Sequence, residues 1–531
     1  MGPNWAGSVV RLEGVEMLRH VRTWSIVLAS LGVVTLGACS GGGVSQNPRT
    51  APSPVATATT KASPVATAST SPPPGATALS WPVFGHDPAR SGVDVGDTTL
   101  TATNVSKLVE KWQISFGSGN VADSTPILLA NIQIGGTAQQ MLYQTDKNGE
   151  TFAIEAQTGK IVWTYSTSGP NITDSTPAAD PSGTAIYVPG VDGKVHKLNA
   201  ATGAEMSAPG FPATITTMPG TEKDASALNV ANGYLYATTS GYDGDAPYYD
   251  GHVVSVNLST GATTVFNSLC SSQTTLPTNS SCSNGDSGIW GRGGAVVDPY
   301  PTMMGDIYVA TGNGLFDGTD NYGDSVIALT ANLSRMIGSY TPTNYTTLQA
   351  DDTDLGSTSP ALLPVQSTST TPLMLVQGGK DQILRLLNRA SLPGVSGELQ
   401  EINLPYLLYA TPAVWTNAQG VTYIFFGLPT QIDAYELVTN GSGVSSLVPA
   451  WTANDGSTSG EGTSPVVSNG IVFVAMDNAI YALSAQTGTE LWSSASTAHS
   501  IGPVHWQSPI VINGWLYCSD QNGHLTAYGL P

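Results

Sequence analysis

Short apolar runs of strand length recur along the chain, as in Gly470 to Met476 (GIVFVAM) and Ala479 to Leu483 (AIYAL), with Asn, Asp and Gly turns between them. Helix-period segments are nearly absent, so the pattern predicts antiparallel meanders. A small residue or proline opens such a series eight times, at Pro126, Pro177, Ser226, Gly294, Pro360, Pro412, Pro465 and Pro509. One four-stranded unit cannot hide both of its apolar faces, whereas eight arranged radially can, and the expectation is an all-β, eight-bladed β-propeller. Only 22 residues follow Pro509, enough for three strands. Leu108 to Phe116 (LVEKWQISF) is expected to supply the fourth, closing the ring by pairing the two ends of the chain and leaving no open edge.

A second periodic signal sits on the blades. Ala153 to Trp163 (AIEAQTGKIVW) and Ala482 to Trp492 (ALSAQTGTELW) share Ala, Thr, Gly and Trp at the same offsets, with weaker copies at Leu198 to Met206 and Val256 to Val265. Gly suits a left-handed turn, Thr bonds within it, and Trp packs flat between neighbouring blades.

Composition adds the setting. With 59 Gly, 35 Pro and 11% charged residues the chain is turn-rich, and its net charge of -20 opposes binding to phosphate backbones, so nucleic acid is not an expected partner. Residues 1–80 carry 5 of the 18 basic and 2 of the 38 acidic side chains. The apolar run Trp24 to Leu36 follows Arg19, His20 and Arg22 and ends at Ala38-Cys39-Ser40. It resembles a bacterial lipoprotein signal over 1–39, starting at Met17, with Cys39 lipidated and the protein anchored outside the cytoplasm on the cell membrane through that lipid alone; a non-cleaved anchor helix is the alternative. Residues 40–80, rich in Ala, Thr, Ser and Pro, read as a disordered tether, and 81–531 as the propeller. In an exported protein Cys270 and Cys282 are expected to form a local disulfide, and Cys518 to be a buried small hydrophobe. There is no C-x-x-C-H haem motif.

The Thr-Gly and Trp repeat, together with Trp81 to Trp112 (WPVFGHDPARSG, then TATNVSKLVEKW), resembles the quinoprotein alcohol dehydrogenase-like propellers, nearest their polyvinyl-alcohol-dehydrogenase-like branch, over Trp81 to Pro531. That resemblance implies pyrroloquinoline quinone (PQQ) in a funnel, a calcium ion polarising it, and an Asp as base. Blade 4 contains TGNG, which points to Asn313 as a calcium ligand, and Asp320 or Asp324 as the base. Trp290 matches a stacking floor, while Lys380 and Arg292 match cations that reach the quinone. The blade-three Glu ligand has no counterpart, and Asp243, Asp245 and Asp250 stand in its region.

Two functions follow. One is a tethered PQQ-dependent dehydrogenase oxidising a small alcohol, a polyol or a polymer and passing electrons to an external acceptor. The other is a non-enzymatic propeller lipoprotein that binds a protein or polymer. Seven scattered histidines support no Ser/His/Asp hydrolase.

Overall fold

The computed structural model describes residues 78–531 apart from 118, 243–244, 246–247, 284, 301–305, 455–460 and 497–499. The signal segment with Cys39, the tether up to residue 77, and Asp243 lie outside the described residues.

Eight antiparallel four-stranded blades form the β-propeller. Blades 1 to 7 occupy 127–166, 178–214, 229–267, 296–341, 361–403, 413–454 and 466–493. Blade 8 takes Ile510–Ile512, Trp515–Ser519 and His524–Gly529 from one end of the chain and Val109–Ser115 from the other, with Val109 opposite Gly529 and Ser115 opposite His524. Position in the blade explains the sequence pattern. Ile471–Met476 is buried on both faces and is a continuous apolar run, whereas the outermost strand Val109–Ser115 alternates half-buried and exposed residues.

The repeat motif is an inter-blade joint. Trp112 Nε1 donates to the Ala156 carbonyl, Trp163 to Ala200 and Trp451 to Ala485, each at 3.1 Å and each reaching the next blade. Trp492 makes a bond of the same length to the Leu108 carbonyl at the entry to blade 8. The indole lies flat on the Thr-Gly turn. A Cβ on Gly159 would come within 2.8 Å of Trp112, and one on Gly488 within 2.5 Å of Trp451, and both glycines have positive φ, so no other residue fits.

The segment Trp81 to Gly92 is a strap around the inside of the ring. Its carbonyls accept N–H groups from Leu128 (blade 1), Ala179 (blade 2), Val297 (blade 4), Val414 (blade 6) and Val467 (blade 7), at 2.7 to 2.9 Å. Arg90, 2% exposed, fixes it by donating to the carbonyls of Gly293, Phe84, Ala227 and Leu228. Above the strap runs a belt of hydroxyls. Backbone N–H groups of Thr411, Ser464, Ser508 and Thr125 donate in turn to the hydroxyls of Ser464, Ser508, Thr125 and Thr176, from blade 6 round to blade 2. Buried hydroxyls in such a chain satisfy the inner-strand backbone where no sheet partner is available.

Candidate functional site

Four residues before the inner strand stand Asp123, Asp174, Arg292, Ser357, Tyr409, Gly462 and Trp506 in blades 1, 2, 4, 5, 6, 7 and 8. Asp224 takes the corresponding place in blade 3, one residue further out. Blades 4 and 8 face each other across the ring, and the Arg292 guanidinium lies 3.3 Å over the Trp506 ring. His505 stacks on Trp506 at 4.0 Å, and the two short separations put it on the opposite face. Its Nδ1 is 3.4 Å from Asp123 and its Nε2 3.1 Å from Glu461. Burial works against the imidazolium, but hydrogen bonds to these carboxylates outweigh it and raise the His505 pKa to about 9. Lys147 pairs with Asp123 at 2.7 Å, and Lys223 pairs with Asp174.

Trp290 connects this stack to a second cluster. Its ring is 6.2 Å from Trp506 and 6.1 Å from Tyr409, and Lys380 Nζ stands 5.1 Å over it. Lys380 pairs with Asp354 at 2.7 Å and with Asp352 at 3.1 Å. Burial opposes its charge, yet the two carboxylates prevail and hold its pKa above the usual lysine range. Asp354, 3% exposed, also accepts the Asn313 N–H at 2.6 Å. Asp245 is exposed at the same mouth and accepts the Tyr249 hydroxyl at 3.0 Å; burial of its carboxyl group and the charges of Asp352 and Asp354 raise its pKa. Asp286 is raised to about 6 by burial and by Asp245, Asp354 and Asp352.

The structure therefore brings Trp290, Lys380, Asn313 and Asp245 together, with Arg292 one ring away. Other expected residues stand apart. Asp324 is fully buried behind the mouth, with Oδ1 accepting the Leu355 N–H at 3.0 Å and its pKa raised to about 8 by burial. Asp320 faces outward to the loop at Ser271 and Ser272, accepting the Ser272 N–H at 2.6 Å. Asp250 is buried within blade 3 near the His252–Glu222 pair, and burial raises its pKa to about 8. Cys270 and Cys282 form a disulfide, and Cys518 is buried.

The family model for outer membrane protein assembly factor BamB, PQQ_2, matches residues 78–281 and 440–529, more than half of the chain. The chain belongs to the PQQ_2 family. The part of this PQQ_2 propeller left unmatched, 282–439, is the part that carries Trp290, Asn313, Asp354 and Lys380. No curated protein matches the chain. Among solved structures, the quinohemoprotein alcohol dehydrogenase of Comamonas testosteroni is 16% identical with a TM-score of 0.58, covering 85% of this chain and 80% of that one. A quinohemoprotein alcohol dehydrogenase from Pseudomonas putida HK5 is 14% identical, with a TM-score of 0.58 and the same coverage. A europium-containing methanol dehydrogenase is 14% identical with a TM-score of 0.59, covering 86% of this chain and 99% of that one. At these identities the likeness establishes the shared fold.

The donor set of the PQQ_2 propeller suits a hard divalent cation in kind. Asp245, Asp286, Asp352 and Asp354 stand near one another with Lys380 as the cation among them, and burial first, then the neighbouring carboxylates, raises the pKa of Asp245 and Asp286. Among the described residues, however, no three His, Cys, Asp or Glu side chains converge closely enough to hold a metal ion. For a quinone tricarboxylate, Arg292 and Lys380 supply charge and Trp290 supplies a flat apolar surface.

Sequence reasoning missed Asp352 and Asp354. The signal was present: Asp351-Asp352-Thr353-Asp354 stands just before the blade-5 opener, as Asp123 and Asp174 stand before Ser-Thr-Pro in blades 1 and 2.

Proposed function

We propose that the protein is an exported, lipid-tethered PQQ-dependent dehydrogenase that oxidises the hydroxyl group of an alcohol or polyol and delivers electrons to an external acceptor. The observation that carries this reading is the convergence of Lys380, Asp354, Asn313 and Trp290 at one mouth of a propeller shared with quinohemoprotein alcohol dehydrogenases. Asn313 with one or two of the carboxylates Asp245, Asp286 and Asp352 would serve as ligands for calcium; Lys380 and Arg292 would hold the quinone, with Trp290 beneath it. When bound, the quinone serves as the two-electron acceptor and calcium sharpens its electrophilicity. Asp354, beside both Trp290 and Lys380, takes the substrate hydroxyl proton. The base is thus assigned to Asp354 in place of Asp320 and Asp324, whose carboxylates face other partners.

The test is to load the purified protein with PQQ and calcium, pass it through gel filtration, and measure dye reduction with an alcohol. Retained quinone with turnover supports the reading, and elution without quinone refutes it. A second reading, a scaffold docking a protein or polymer, is favoured by the pairing of Lys380, Lys147 and Lys223 with carboxylates. It predicts that PQQ leaves the protein unchanged.

A further inference from the structure

Asp320 is well outside the mouth, yet it sits on the same crossing of chain as Asn313. After Gly314 the chain makes an excursion and returns, with the Gly323 N–H donating to the Leu315 carbonyl at 3.0 Å. Near its tip, Asp317 accepts the Asp320 N–H at 2.9 Å, so the Asp320 side chain is presented in a fixed direction.

Both ends of this excursion are clasped by one other stretch of chain, 268–288, within which the Cys270–Cys282 disulfide closes 270–282. At the tip, Asp320 Oδ1 accepts the Ser272 N–H at 2.6 Å, its carbonyl accepts the Ser271 N–H at 2.8 Å, and Asn321 Oδ1 accepts the Cys270 N–H at 3.1 Å. At the base, the Ser287 N–H donates to the Asn313 carbonyl at 2.7 Å, and the Tyr322 N–H to Ser268 at 2.9 Å. The same stretch carries Asp286, whose N–H bonds to the Tyr249 carbonyl at 3.0 Å, and Tyr249 in turn holds Asp245. Three of the mouth's oxygen donors, Asn313, Asp286 and Asp245, thus depend on where this one closed loop is held.

We propose that Asp320 is a positioning residue that, by clasping the disulfide-closed loop, sets Asn313 and Asp286 at the spacing the mouth requires. The assignment rests on the reading of that mouth as a calcium and quinone site, but the positioning is physical and has its own readout. A partner once removed from a metal ligand typically changes metal affinity by 10-fold or more when lost. Geometry held by three hydrogen bonds at an exposed tip opens locally and not globally.

The experiment compares the full chain with Asp320→Ala and Asp320→Asn. Amide hydrogen exchange is followed at Ser287 and Asn313 without cofactor, and calcium affinity is measured by titration in the presence of PQQ. Asp320→Ala is expected to speed exchange at Ser287 and Asn313 about tenfold, leave blades 7 and 8 unchanged, and weaken calcium binding about tenfold. Asp320→Asn, which keeps an acceptor for the Ser272 N–H, is expected to restore both. Unchanged exchange at Ser287 and Asn313 in Asp320→Ala overturns the proposal. So does a loss of calcium affinity that Asp320→Asn fails to rescue. Failure of the wild-type protein to bind calcium or PQQ counts against the site's function alone, and the exchange result then decides the positioning.

Discussion

The Arg292 guanidinium lies 3.3 Å over the ring of Trp506, and the two residues come from blades on opposite sides of the ring. The stack therefore spans the propeller axis and fills its waist, with the hydroxyl belt and the Arg90 strap beyond it. A desolvated cation over an indole is worth about 2 kcal/mol. Trp506→Ala is expected to lower unfolding free energy by at least about that amount in urea titration, and Trp506→Phe to recover part of it.

Lys380 shares its charge between Asp354 and Asp352 while itself largely buried. Removing one partner of such a group leaves the other uncompensated, at about 3 kcal/mol. Lys380→Gln is expected to show this loss in denaturant melts and to abolish quinone retention. The double variant Lys380→Gln with Asp354→Asn is expected to regain most of the stability and none of the retention. A double variant no more stable than the single would show that the two side chains are not coupled.

Gly488 has φ +69°, and a Cβ there would meet Trp451 at 2.5 Å. Gly488→Ala combines left-handed strain with a clash against a docked indole, and a loss of about 2 kcal/mol or more is expected. Trp451→Ala removes the clash, so Gly488→Ala on that background is expected to cost less, as read in thermal or urea unfolding.

His252 is fully buried and donates from Nε2 to the Ile215 carbonyl at 2.9 Å and from Nδ1 to the Asp250 carbonyl at 2.8 Å. Two donating nitrogens define an imidazolium, and Glu222 at 3.0 Å is its counter-ion. Burial opposes the charge, but Glu222 outweighs it and raises the pKa from 6.5 to about 9. The resulting stability is complete below about pH 6.5 and is lost as pH rises through about 9. Asp250, raised from 3.8 to about 8 by burial, lowers stability between those values, so the window above pH 8 reports His252 together with His505, and the difference between wild type and a His252 variant isolates the former. His252→Gln is expected to flatten the fall between pH 8 and pH 10 in urea titrations.

The fold was legible because its joints repeat. Trp112, Trp163, Trp451 and Trp492 each meet a backbone carbonyl in the same way, and a contact made many times leaves a periodic trace in sequence. The strap was visible only as the motif Trp81 to Gly92, since bonds to five blades through backbone carbonyls impose no side-chain pattern. At the mouth, Trp290, Asn313 and Lys380 were found from the resemblance of their segments to the quinoprotein dehydrogenase-like family. Asp320 and Asp324 follow Asn313 by 7 and 11 residues, but the excursion between Gly314 and Gly323 sends one carboxylate outward and buries the other. The acidic run Asp351-Asp352-Thr353-Asp354 marks a place before the blade-5 opener, but its partner Lys380 is reached only through tertiary folding.

The tryptophan joints are spread unevenly. Those described link blades 6, 7, 8, 1 and 2, whereas Trp290, Asn313, Asp354 and Lys380 belong to blades 4 and 5 or the chain leading into them. A sector built from interchangeable parts tolerates little local variation, because each docking surface must match its neighbour. The remaining arc is free of that constraint, so longer excursions and clustered acidic side chains accumulate there without loosening the rest. The candidate mouth thus lies on the side of the circle where repetition lapses.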